Sequence, residues 1–471
     1  MEQKADERDA WLGPEGPRVH GPRATRPLRL ILTGGAGSGK STPIRALVRR
    51  RRMRTEERLS RVVASPLLKQ KRMKCTAVLS APTGTASFQM KYGAQTAHSA
   101  WGVMPMQCCH KFQNRKDPRF LRLRDMLSHA DLAVFDEISM MGKGFIGKIL
   151  FRAEDAAPDA SFGMTLFGLD CILAWHLAQA PPIGDDPVYK TGAYKGKGLN
   201  KPPEGYSGET PPSFAELVDR ARGFLSEFDD VVELLETHRV DEEGSKAWSP
   251  ERLARYQADA KEFLAVTRRM ADLEWSRADW EFLARRNASR LLTTAEGRKV
   301  YDDEFKDAPL LMDTRATTAQ QQAGADAYNR ERLERLARET QVPILAIRAA
   351  HKRPKGATPE RMDADQFRGL QAELQLCIGA RVLLTSNEWV EAGLVNGAAG
   401  YVRGFVLPKG FDPNSSDTRL STPLAVIVEF DEVNLAGPRG EKRVFFAEHG
   451  RESWVPIFSS APVSADNDIS R

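Results

Sequence analysis

The 471-residue sequence has few cysteines, no long apolar run and no leader-like start, and each absence excludes a class of protein. Its five cysteines, Cys75, Cys108, Cys109, Cys171 and Cys377, form no C-x-x-C pair. That argues against a zinc site or a disulfide framework and predicts free thiols in a reducing compartment. No apolar stretch approaches the roughly 18 residues that announce a spanning helix, so no membrane association is expected. Met1–Arg26 lacks the apolar segment of a secretory signal. It holds several arginines, but Glu2, Asp6, Glu7, Asp9 and Glu15 argue against a transit peptide. An intracellular protein is expected.

What is present is ordinary in bulk and specific in detail. The hydrophobic fraction of 41% is typical of globular chains and the charged fraction of 28% is slightly high. The length predicts two or three domains. A formal net charge of +6 suits a polyanionic partner without identifying one.

Residues 1–27, rich in Pro, Gly and Arg, read as disordered. From Leu28 onward short β-branched runs alternate with longer helical stretches, the pattern of a parallel α/β sheet. Strands are predicted at Leu28–Thr33, Thr76–Thr83, Ala130–Glu137 and Leu169–Trp175, giving a first domain over 28–183. Gly184–Ser213, rich in Gly, Pro and Lys, reads as a connecting loop. A second α/β region is expected over 214–458. It carries helical stretches at 272–286 and 327–339 and late strands at 375–386 and 423–432. Residues 459–471 are polar and are expected to fray.

The strongest signal is Gly34-Gly35-Ala36-Gly37-Ser38-Gly39-Lys40-Ser41, which fits G-x-x-x-x-G-K-S/T directly after a predicted strand. Glycines let the backbone curl so that its N–H groups face a phosphate, and the helix that follows adds its positive N-terminal end. Lys40 is placed to reach the β- and γ-phosphates, Ser41 to hold Mg²⁺, and Thr42 to complete the loop. Pro43 is tolerated because first-turn N–H groups lack intrahelical partners. Downstream, Val134-Phe135-Asp136-Glu137 ends an apolar strand in two carboxylates. Asp136 is assigned to the metal and Glu137 to the base that takes a proton from the attacking water. Together these elements predict a nucleoside triphosphatase with ATP as substrate and Mg²⁺ as cofactor.

Further segments carry a resemblance. Ala81-Pro82-Thr83-Gly84-Thr85-Ala86, Gly93-Ala94-Gln95-Thr96-Ala97-His98-Ser99, Asp136-Glu137-Ile138-Ser139-Met140, Glu236-Thr237-His238-Arg239 and Gly393-Leu394-Val395-Asn396-Gly397-Ala398 stand in the order of PIF-family helicase motifs. The chain resembles that family, relatives of RecD in superfamily 1, over roughly Leu28 to Phe458. The resemblance implies an α/β P-loop fold with two RecA-like parallel-sheet domains that clamp ATP and move along single-stranded DNA or DNA junctions, usually 5′ to 3′. It further implies a γ-phosphate contact from Gln179, an arginine from Arg239 that crosses the cleft, and DNA contacts from Pro82, Thr83, Gly84, Thr85, His98, Asn396 and Gly397. Roles in DNA repair, recombination and telomere maintenance follow from it, as does a nuclear or mitochondrial site. The arginine run from Arg45 to Arg61 reads as a solvated helix face rather than a DNA reader.

Three departures qualify the resemblance. The third motif, normally Gly-Asp-Phe ahead of the glutamine, here reads Trp175-His176-Leu177-Ala178-Gln179, so a bulky ring and an imidazole stand where a glycine and an acid are usual. Damage to hydrolysis or coupling is expected. No adenine-recognising glutamine segment is legible in 1–27. The family's last motifs would fall beyond Arg471, so the second domain is expected to be incomplete. The alternative reading is a catalytically weak, nucleotide-dependent single-strand-binding remnant of such a helicase.

Overall fold

The computed structural model describes residues 27–35, 37–62, 77–104, 107–156, 165–176, 178–179, 181–182, 184–194, 200–202, 204, 206–236, 238, 248–304, 319–348, 373–415, 418–435, 444–446 and 448–458. Two compact units divide between Arg290 and Leu291.

The first unit is built on a six-stranded sheet of β1 (Arg29–Gly34), β2 (Ala77–Ala81), β3 (Gln95–Thr96), β4 (Leu132–Phe135), β5 (Asp170–Trp175) and β6 (Asp230–Leu234). The spatial order is β3-β2-β4-β5-β1-β6 and every pairing is parallel. Parallel strands are covered on both faces and therefore read as continuous apolar runs. All four residues of β4 are buried, with Leu132 and Val134 in one core and Ala133 and Phe135 in the other. β5 alternates in the same way, with Cys171 and Leu173 on one side and Ile172 and Ala174 on the other. One face is covered by α1 (Ser41–Val62) through Ile44 and Val48 and by α2 (Gly84–Met90) through Met90. The opposite face carries α3 (Ala97–Trp101), α4 (Pro118–His129), α5 (Lys143–Ala156) and α6 (Phe214–Leu225), whose Trp101, Leu123, Ile146 and Phe224 complete the larger core. α7 (Pro250–Ala271) and α8 (Arg277–Ala284) follow, and α8 opens on a capping box between Ser276 and Asp279.

The first unit therefore runs well past the loop at which a boundary was expected. α6 packs on α5 so closely that a Cβ on Gly147 would collide with the Leu217 backbone. β6 then pairs with β1 along its full length, Ile31 facing Val231 and Leu32 facing Val232. Gly184–Ser213 is an excursion inside this unit, because a strand belongs to the sheet it hydrogen-bonds to, whatever loop precedes it.

The arginine run is also not uniformly solvated. Arg51 is 7% exposed and bridges Asp131 at 3.0 Å and Asp170 at 2.7 Å, at the N-terminal ends of β4 and β5. The two carboxylates hold its guanidinium well above the usual arginine range, against the opposing effect of burial. Arg52 lies over the Tyr92 ring and donates to the Tyr92 carbonyl. Arg51→Ala is expected to destabilise the chain by about 3–5 kcal/mol in urea unfolding, because two buried carboxylates lose the guanidinium that bridges them. A loss below about 1 kcal/mol would place the pair in the class of surface ion pairs.

In the second unit the described strands pair antiparallel, where a second parallel sheet was expected. β7 (Leu345–Arg348) and β8 (Glu373–Leu376) form a two-stranded ladder. β9 (Arg381–Leu383), β10 (Ala399–Val406), β11 (Ala425–Phe430) and β12 (Trp454–Phe458) form a four-stranded sheet in the order β12-β11-β10-β9. The run 375–386, expected as one strand, is broken by a turn in which Ala380 N–H donates to the Cys377 carbonyl. The helix expected at 327–339 lies within a longer one, Ala319–Thr340, and its Leu333 and Leu336 pack on Leu376 and Val402. Residues 1–26 and 459–471, expected to be disordered and frayed, lie outside the described residues.

Candidate functional site

In a parallel sheet all strands deliver their C-terminal ends to one edge, which is where ligands bind in such folds. β1 ends there in the glycine loop, β4 in Asp136-Glu137, and β5, between them, in Trp175-His176.

The loop folds onto itself. Gly34 has φ +153 and an added Cβ would meet Ser38 Oγ at 2.6 Å and the Leu234 carbonyl at 2.7 Å, so no side chain fits. Ser38 N–H donates to the Gly35 carbonyl at 3.2 Å and Thr42 N–H to the Gly39 carbonyl at 2.9 Å, which turns the chain into α1. Lys40, 8% exposed, curls back so that its Nζ donates to the carbonyls of Gly34 at 2.8 Å and Gly35 at 3.2 Å. His238 N–H, beyond β6, donates to the Gly37 carbonyl at 2.8 Å and ties the loop to the next strand. Ala36 lies outside the described residues.

Asp136 is 6% exposed; its backbone N–H donates to the Ser80 carbonyl and its Oδ1 accepts from Glu137 N–H at 3.0 Å. Burial first, and then the adjacent Glu137 carboxylate, push its pKa up to about 6, while Lys40 pulls it the other way. Glu137 adopts a left-handed backbone (φ 50, ψ 39), uncommon outside glycine, which suits a strained functional position. Among the described residues its Oε2 is buried without a hydrogen-bond partner, as is Ser38 Oγ. Orphaned buried polar atoms of this kind suit a polar ligand.

Gln179 sits one turn beyond β5, with its N–H on the His176 carbonyl at 3.2 Å and its Oε1 accepting from Ser139 Oγ at 3.1 Å. Trp175 pairs in register with Thr33 and its ring packs on the larger core, away from the phosphate loop. His176 faces the loop instead, with Nε2 at 4.0 Å from the position of a Cβ on Gly35.

Among the described residues no group of three or more His, Cys, Asp or Glu is placed to hold a metal alone. Mg²⁺ nevertheless fits here, because it is commonly held by one or two protein oxygens together with substrate phosphates and water. A buried carboxylate raised to about 6 that takes no hydrogen bond from a cation among the described residues is a suitable ligand, and Ser41 at the start of α1 would offer the second oxygen.

The segment assigned to DNA lies beside this edge. Thr83 caps α2 by accepting from Ala86 N–H at 3.2 Å, which leaves its hydroxyl proton free to donate. Pro82 and Gly84 flank it at the end of β2, and Thr85 is half-buried. His98 stacks on Phe145 at 4.3 Å between ring centroids, and burial followed by Lys148 lowers its pKa. Two residues missed in the sequence connect this segment to the carboxylates. Trp101 Nε1 donates to Ser80 Oγ at 3.2 Å, and Ser80 Oγ donates to the Val134 carbonyl at 3.1 Å. The one available signal was a serine in the middle of an otherwise apolar strand. Asn396 and Gly397 belong to the second unit, where their N–H groups donate to Asn387 Oδ1 at 2.9 Å and the Leu384 carbonyl at 2.7 Å. Arg239 lies outside the described residues.

No protein-family model matches the sequence, and no curated protein matches it. Among solved structures the chain is similar to the Pif1 helicase from Candida albicans, with a TM-score of 0.50 and 17% identity over 88% of this chain and 72% of that one. It is also similar to a Bacteroides Pif1 helicase crystallised with ADP-AlF3 and single-stranded DNA, with a TM-score of 0.42 and 16% identity over 100% of this chain and 78% of that one. The likeness to the Candida structure establishes a Pif1-like helicase fold for this chain.

Proposed function

We propose that this chain is an ATP-dependent DNA helicase that couples hydrolysis to movement along single-stranded DNA and to duplex unwinding. The observation that carries the reading is the convergence of Lys40, Asp136, Glu137 and Gln179 on one edge of a parallel sheet within a Pif1-like fold. In this reading residues 34–42 hold the phosphates of ATP through the loop N–H groups and Lys40, and Ser41 and Asp136 hold Mg²⁺. The cation supplies neutralisation of phosphate charge. Glu137 takes the proton of the attacking water, Gln179 orients against the γ-phosphate, and Arg239 contributes a further cation. Pro82–Thr85 and His98 in the first unit and Asn396 and Gly397 in the second contact DNA. A 5′-to-3′ polarity, a role in repair, recombination or telomere maintenance, and a nuclear or mitochondrial site follow from the same resemblance.

The test is steady-state ATPase activity with and without single-stranded DNA. Turnover that rises with DNA is expected. Glu137→Gln is expected to keep nucleotide binding while hydrolysis falls about 10²–10⁴-fold, the usual contribution of a positioned base. Equal loss of binding and hydrolysis would remove Glu137 from that role. A second reading, a nucleotide-dependent single-strand-binding protein with weak turnover, is favoured by His176, which places an imidazole beside Lys40 where an acid is usual. Nucleotide binding with no DNA-stimulated turnover would select it.

A further inference from the structure

We propose that His176 is a nucleotide-contacting residue whose ring N–H donates to the terminal phosphate of ATP, so that it distinguishes ATP from ADP. The proposal rests on the reading of the glycine loop as an ATP site. Its basis is placement. β5 is hydrogen-bonded to β1 on one side and to β4 on the other. Trp175 is level with Thr33, and Leu173 is level with Phe135. The next residue out, His176, therefore stands between the start of the phosphate loop and the Asp136-Glu137 pair. The terminal phosphate of a nucleotide lies between those same two elements, with the loop on one side and the base that activates water on the other.

Three observations give the ring a ligand-facing role. Nε2 is 4.0 Å from the position a Cβ on Gly35 would take, so the imidazole borders the space beside the loop. Nδ1 is buried and has no hydrogen-bond partner among the described residues. Such an atom in a native site calls for an explanation, and a phosphate oxygen that turns the ring to its service provides one. Burial first, and then the charge of Lys40, lower the ring's pKa while Glu137 acts the other way, so the ring is near both side chains assigned to the nucleotide. The pairing of Gln179 N–H with the His176 carbonyl makes the two residues one turn, so a contact at His176 also fixes the glutamine. Trp175 anchors that turn from the other face by packing on the larger core.

An acid at position 176 would repel the terminal phosphate, whereas an imidazole N–H attracts it. The two nucleotides separate the effect, because only ATP carries the phosphate in question. The experiment measures the affinity of the full chain for Mg·ATP and for Mg·ADP by calorimetry in a Glu137→Gln background, which suppresses hydrolysis. His176→Ala is expected to weaken ATP about tenfold, the value of one hydrogen bond to a charged group, and to change ADP by less than about twofold. His176→Asn, which restores an N–H donor, is expected to recover most of the loss. His176→Asp is expected to weaken ATP more than alanine does. Equal effects on ATP and ADP, or no effect on either, would overturn the assignment, as would failure of asparagine to recover ATP affinity where alanine loses it. Lys40→Ala in the same assay reports on the underlying reading. If that variant binds both nucleotides as the parent does, the loop is not the nucleotide site and the failure lies there rather than at His176.

Discussion

Lys40→Ala is expected to reduce ATP hydrolysis by at least about 10²–10³-fold, the loss typical of removing one pre-aimed donor to a developing charge. In the free protein the lysine is held by the carbonyls of Gly34 and Gly35, inside the curl of the loop. It is therefore already buried and already positioned, and a phosphate that enters exchanges with those carbonyls. Preorganisation of this kind makes a single ammonium matter more than it would on the surface, because little reorganisation remains at the moment of reaction. The variant should still fold. Gly34 is fixed by its contacts with Ser38 and Leu234, and the loop keeps its own hydrogen bonds from Ser38 and Thr42. Steady-state turnover beside a thermal melt checks both statements. Unchanged turnover would remove the loop from the active site.

Asp136→Asn is expected to abolish hydrolysis and, at neutral pH, to make the protein more stable. Burial and the Glu137 carboxylate raise Asp136 from 3.8 to about 6 in the folded chain. A carboxyl whose native pKa lies above its unfolded value binds protons more tightly when folded, so ionising it opposes folding. The penalty is absent below about pH 4, grows as pH rises through about 6, and is then complete, on the order of 3 kcal/mol at one pKa unit per roughly 1.4 kcal/mol. Asparagine keeps an acceptor for Glu137 N–H and carries no charge, so a gain of about 1–3 kcal/mol in urea unfolding is expected at pH 8. That gain should shrink as pH falls from 6 to 4. A variant that is less stable at pH 8, or a gain that does not depend on pH, would show that Asp136 is held ionised by partners rather than desolvated. Stability surrendered at one carboxylate is what a metal-binding position is expected to show.

Much of the first unit was legible because its signals are local. β4 is apolar at every position, which predicts a strand covered on both sides, and both cores are found there. The glycine loop was legible for a similar reason, since only glycine meets the contacts around Gly34. Arg51 was misread because helix periodicity within a run of four arginines does not reveal which one turns inward; that depends on Asp131 and Asp170, both distant in sequence. Where the Trp175 ring turns was not legible, because a strand residue points to one face or the other according to register, and here the register sends the ring to the core and leaves His176 at the loop.

By itself the sequence determined the α/β class, the glycine loop after β1 and the carboxylate pair after β4, since each is written in adjacent residues whose chemistry and backbone preferences act over one turn or one strand. Only the tertiary structure decided that β6 joins the first sheet, that the described strands after Arg290 pair antiparallel, and that Ser80 ties Trp101 to the strand carrying Asp136. Those outcomes depend on which distant segment supplies a hydrogen-bonding partner. A strand carries the same donors and acceptors whichever neighbour it takes, and the choice is made by the apolar surface that the whole chain can cover at once.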